Sequence, residues 1–136
     1  METPSNKHKH LEFIQAVVNR MAGNMFLLKG WSITLIAALI ALAAKDSNKF
    51  YILIAYLPLS IFWLLDGYFL SLERRFRALY DYVRKLDESK IDFSMNTHSF
   101  STDYRNTWAG AISSRTLVSY YVGLATAMSV IMLFIR

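Results

Sequence analysis

Two ionisable residues stand at or inside long apolar runs. Lys29 immediately precedes the uncharged stretch 30–44, and Asp66 lies late in the run 50–72. A charge in such a setting is costly unless it is paired or wet. Folding the two runs as an antiparallel hairpin about Ser47, with equal rise on both arms, sets Lys29 opposite Leu65, one position from Asp66. Lys29 and Asp66 are therefore a specific candidate ion pair; the alternative is that each snorkels separately to lipid headgroups. Other candidate chemistry is weaker. His8 and His10, with His98 far along the chain, have no ligand spacing, and a solvated tail explains the first two better than a metal site. Asp87, Glu88 and Asp92 fall in a polar stretch where solvation is the simpler reading. Tyr56, Ser60 and Asp66 share one helix without forming a known catalytic arrangement. There is no Gly-rich phosphate loop, no His-Glu-x-x-His and no nucleophile elbow. The reading is of a protein that is not an enzyme and takes no cofactor or metal.

The elements that must carry these residues are helical. The chain has 136 residues, 54% of them hydrophobic and 15% aromatic, and the apolar residues gather in three windows separated by charged segments. That segregation is the signature of membrane spans. Residues 1–10 read as a polar tail. From Leu11 the residues Leu11, Ile14, Val18, Met21, Met25 and Leu28 step by three and four. This 11–28 segment is an amphipathic helix, either lying on a bilayer or packing on copies of itself. Span 1 covers 29–44. Its uncharged part would be only about 22 Å long, so Lys29 must reach the interface, with Trp31 beside it. Thr34, Ala37, Ala38, Ala41 and Ala44 form a small-residue face, expected to be the side that packs on protein. Ala41 to Ala44 resemble a signal-peptide cleavage site, but the segment before them is too long for one, so span 1 reads as uncleaved.

Span 2 covers 50–72, with Pro58 expected to kink it or free a carbonyl. Its helix should continue over 73–86, because Leu72, Phe76, Leu79, Val83 and Leu86 keep the period. Arg74, Arg75, Arg77, Arg84 and Lys85 make its other faces basic. Residues 87–107 are polar and aperiodic and read as a compact loop, with Asp103 or Thr107 capping the next helix. Span 3 covers 116–135 and carries its own small, polar stripe of Thr116, Ser119, Gly123 and Thr126. This is a candidate pore lining, although packing within the chain is the commoner cause of such a stripe.

Charge sets the expected orientation. Four Lys or Arg precede Gly30 and eight lie between spans 2 and 3, against two in the hairpin loop and Arg136 alone at the end. The positive-inside rule then places the N-terminus in the cytoplasm and the C-terminus outside. The formal net charge of +5 is explained by topology and anionic lipid, so nucleic acid is not expected as the main partner. With no cysteine, no disulfide framework can form. The fold class expected is an all-α membrane protein with three transmembrane helices, the first two extending into the cytoplasm.

The layout of residues 11–86 resembles the small bacterial membrane effectors that associate with SMODS nucleotidyltransferases and SLOG sensors, the SLATT group. Likeness rests on Asn19-Arg20-Met21 leading to Lys29-Gly30-Trp31, a tight hairpin, and Phe62-Trp63-Leu64-Leu65-Asp66-Gly67-Tyr68 running into Glu73-Arg74-Arg75-Phe76-Arg77. More loosely, the chain is similar to octameric inner-membrane proteins of the RipA type. The third span departs from the two-span pattern. The resemblance implies a homo-oligomer of the bacterial inner membrane that disrupts or perforates the bilayer in phage defence, triggered by a cytoplasmic sensor or partner. The reading from a different class is a non-catalytic structural or regulatory subunit of a larger membrane complex, docking an acidic partner on its basic helix.

Overall fold

A computed structural model describes residues 5–134. Helix α1 (Asn6–Asp46) is continuous over 41 residues, about 62 Å. Ser5 starts it, its hydroxyl accepting from the His8 amide at 3.3 Å. The expected polar tail is thus corrected: residues 6–10 belong to the helix and His10 is only 5% exposed, while residues 1–4 lie outside the described chain. At the other end Ser47 turns left-handed (φ 50°), and the Asn48 side chain accepts from the Phe50 amide at 2.9 Å. Helix α2 (Phe50–Val83) then returns along α1 without a break at Pro58. It ends three residues before the expected Leu86.

Residues 84–107 form a compact segment with three 3-10 turns, Glu88–Lys90, His98–Thr102 and Tyr104–Asn106. Helix α3 (Trp108–Ile112) is a single short element that the apolar pattern does not announce. Of the two expected caps, Thr107 starts α3 and Asp103 starts the 3-10 turn before it; neither caps span 3. Asp103 accepts from the Arg105 amide, and Thr107 accepts from the Gly110 amide at 3.0 Å. Helix α4 (Arg115–Phe134) follows; Ile135 and Arg136 lie outside the described residues. Helices α1, α2 and α4 are each long and apolar enough to cross a membrane.

Two clusters hold the bundle. At the hairpin end, Ile36 and Ala43 of α1 meet Ile52, Ala55 and Leu59 of α2 and Leu117, Tyr121 and Met128 of α4. At the basic end, Ile14 packs with Leu79, Val83 and Ile91, flanked by Leu11, Phe76 and Phe100. This corrects the reading of the 11–28 seam. Ile14, Val18 and Met21 are buried inside the chain, and Met25 is half-buried, so the seam belongs to neither a bilayer surface nor a second copy. The extension 73–86 of α2 is one of its partners.

The small face of α1 lies outside the chain's own core. Thr34, Ala37, Ala38, Ala41 and Ala44 all point outward. The inward face is Ser32, Ile36 and Ala43, with Leu39 and Ile40 against it. The α4 stripe behaves alike: Thr116, Ser119, Gly123 and Thr126 are exposed, and packing within the chain does not account for them.

Candidate functional site

The three long helices meet at a polar node. Lys29 Nζ lies 2.5 Å from Asp66 Oδ2, which puts the true hairpin register one residue from the equal-rise estimate. Asp66 is 0% exposed and the Lys29 side chain 26%. The third side comes from α4. Tyr121 sets its hydroxyl 3.1 Å from Asp66 Oδ2 and 3.2 Å from the Phe62 carbonyl. Its ring stacks on Trp63 at 5.8 Å, nearly parallel, and the Trp63 indole donates to the Ile112 carbonyl at 3.1 Å. The neighbouring Tyr120 donates to the Lys29 carbonyl at 3.0 Å and shares a 3.1 Å bond with Ser32. Its ring lies 5.7 Å from the Lys29 ammonium.

This arrangement neutralises one buried charge and ties three helices together. Asp66 Oδ1 is buried without a partner among the described residues, so the carboxylate is held by one of its oxygens alone. Hydrogen bonds to charged groups contribute about 1.5–3 kcal/mol. Tyr121→Phe keeps the stacked ring and removes only the hydroxyl. It is expected to cost about 1.5 kcal/mol of that range, read by denaturant unfolding in detergent. A cost as small as that of Val122→Ala, on the exposed side of α4, would refute the role given to the hydroxyl.

Tight packing delivers Ile112 and Trp63 to the node. A Cβ on Gly67 would lie 2.5 Å from Ile112 Cγ1. Trp108 adds a bond from its indole to the Leu64 carbonyl at 2.9 Å. Helix α3 is thereby held against α2 at Leu64 and Gly67, on either side of Asp66.

The basic face of 73–86 is largely engaged within the chain. Arg74 donates to the Arg105 carbonyl at 2.6 Å and Arg75 to the Asn106 carbonyl at 3.0 Å. Arg77 pairs with Glu73, and Arg84 with Asp81 at 3.1 Å. Only Lys85 is exposed with no ion pair among the described residues. Lys7, expected in a loose tail, donates to the Leu86 and Arg84 carbonyls at 2.5 and 3.1 Å, where a cation suits the end of a helix. No three His, Asp or Glu gather as a metal site among the described residues.

Tyr120, Tyr121, Ser32 and the α3 glycine are not marked out by periodicity or spacing, and Trp63 enters the sequence reading only through the resemblance. The signal available was the Tyr120-Tyr121 pair inside an apolar run, since a buried hydroxyl in such a run needs a partner. No family model, curated protein or solved structure matches the chain.

Proposed function

We propose that the chain is a subunit of a homo-oligomer in the bacterial inner membrane, with its basic end in the cytoplasm and its C-terminus outside. The assembly perturbs or perforates the bilayer, as an effector in phage defence, and does so without catalysis. One observation carries this reading: both small-residue faces point away from the chain's own core. Ala37 and Ala41 on α1, and Ser119 and Gly123 on α4, are exposed, and a Cβ on Gly123 would meet nothing within 4 Å. Lipid tails give helices no hydrophobic reason to associate, so close approach through small residues is what favours assembly. The hydroxyls of Thr34 and Thr126 bond back to the Gly30 and Val122 carbonyls. Their exposure therefore costs little in lipid, and small size rather than polarity supports the interface. The likeness to two-span conflict-system effectors agrees with this reading.

Mass measurement in detergent tests it. A higher oligomer is expected. Ala41→Leu and Gly123→Leu should weaken assembly about tenfold, or ~1.4 kcal/mol, without loss of helix content. A monomer at all concentrations would sink the proposal. Induced expression should admit a membrane-impermeant dye.

The second reading, a regulatory subunit, has its own observation. A groove of about 770 Å³ at the far basic end is lined by Phe13, Val17, Phe93 and Met95, with Lys9 and Arg20 at its rim. Phe13 is 66% exposed and lies about 24 Å along α1 from Lys29, beyond easy reach of lipid on an upright helix. It suits a cytoplasmic partner with an acidic, apolar face, which in the effector reading is the trigger. An inert, non-toxic protein whose abundance depends on such a partner would favour this second reading.

A further inference from the structure

A cleft of about 310 Å³ opens between α1, α2 and the start of α4, beside the polar node. Its walls are Met25, Phe26, Leu70 and Leu117, and the two charged groups lining it are Lys29 and Arg74. No carboxylate lines it, because Asp66 is turned inward and fully buried. Along α2 the residues Asp66, Leu70 and Arg74 stand one turn apart on one face. The cleft therefore runs for about 12 Å, with a cation at each end and apolar walls between.

Each cation has donors to spare. Lys29 gives Asp66 one of three ammonium hydrogens, and Arg74 gives Arg105 one of five guanidinium hydrogens. Phe26, 77% exposed, stands at the cleft, and Trp31 is exposed a few residues further along α1. Rings placed so suit the boundary between headgroups and acyl chains.

We propose that this cleft is a binding site for an anionic phospholipid of the leaflet at the basic end. Arg74 takes the phosphate, and the free ammonium hydrogens of Lys29, about two turns deeper along the cleft, take an ester carbonyl. The glycerol backbone lies along Met25, Leu70 and Leu117, and the acyl chains continue past Lys29 toward the hairpin end. A zwitterionic lipid is disfavoured because nothing acidic is present to meet its choline. The site rests on the membrane placement proposed above. It also couples lipid to structure, since Lys29 serves the lipid and the Asp66 pair together.

The test uses the full chain, purified in neutral detergent and stripped of lipid. Dioleoylphosphatidylglycerol, dioleoylphosphatidylcholine and inorganic phosphate are added separately, and the thermal unfolding midpoint is followed. The glycerol lipid should raise the midpoint and the choline lipid should not. Arg74→Gln should weaken the glycerol-lipid response about tenfold, read against its own midpoint in choline lipid, which removes any general loss of stability. Ala22→Leu, at an exposed position lining the cleft, should block the response while leaving Arg74 in place. Equal responses to both lipids, or a full response in both variants, would overturn the site. A response to inorganic phosphate alone would overturn it in favour of a free anion. A chain that stays soluble without detergent and responds to no lipid would overturn the membrane placement as well.

Discussion

Asp66→Ala is expected to destabilise the folded chain by about 3–5 kcal/mol, the usual cost of removing one partner from a buried ion pair. The carboxylate is fully buried against Lys29 and the Tyr121 hydroxyl. Its loss leaves the Lys29 ammonium without its counter-ion and the Tyr121 hydroxyl with the Phe62 carbonyl as its one acceptor. Lys29→Ala strands a carboxylate that is fully buried and should destabilise the chain by a similar amount. Burying a pair carries a desolvation cost of its own, so Lys29→Met combined with Asp66→Leu should recover most of the loss. The measurement is denaturant unfolding in detergent for Asp66→Ala, Lys29→Ala and those two combined, beside Lys29→Met combined with Asp66→Leu. Strict additivity would mean that the two residues do not interact.

The second large effect is at Gly110. A Cβ there would sit 2.0 Å from the Tyr104 carbonyl oxygen and 2.8 Å from its carbon. These are backbone atoms, held by the turn that leads into Thr107, so no rotamer relieves the clash. Gly110→Ala must push α3 off the 104–106 turn, and with it Ile112, which closes on Gly67 and accepts from Trp63. Overpacking of this kind costs about 1–3 kcal/mol, occasionally more, and the upper end is expected here. Gly23→Ala and Gly30→Ala are the controls, since a Cβ at either meets nothing within 4 Å. In a helix they should gain up to about 1 kcal/mol. Circular dichroism during thermal unfolding separates the cases. Equal midpoints for Gly110→Ala and Gly23→Ala would show that the turn is not the constraint argued.

The parts legible in the sequence are those whose register a short turn fixes. A hairpin turning at Ser47 leaves almost no freedom in how its arms align, so the Lys29–Asp66 juxtaposition could be placed to within one residue. Tyr121 could not be placed in the same way. It is joined to α2 through residues 84–107, whose length and turns set no alignment that periodicity can reveal. The same limit explains Ile14, Val18 and Met21. Their spacing says that one face is apolar but not what covers it, and a bilayer, a second copy and α2 leave the same pattern. Small residues are silent on partners for a related reason. Ala37 and Ala41 permit close approach without naming the helix that approaches, and inside this chain the bulkier Ile36 makes the contact. Arg74 and Arg75 looked like a docking face because carbonyl partners such as those of Arg105 and Asn106 leave no trace in a sequence.

The order in which the node is completed follows from the order of the chain. Both members of the ion pair are made by residue 66, but the hydroxyl that bonds Asp66 comes 55 residues later. Until α4 arrives, the α1–α2 hairpin presents a carboxylate open on one side. A chain cut short before Trp108 therefore carries a mark that the finished one hides, a half-covered acid where the bundle should be closed. Helix α4 thus seals the charge that the first two helices bring together, through the same three side chains that hold the bundle.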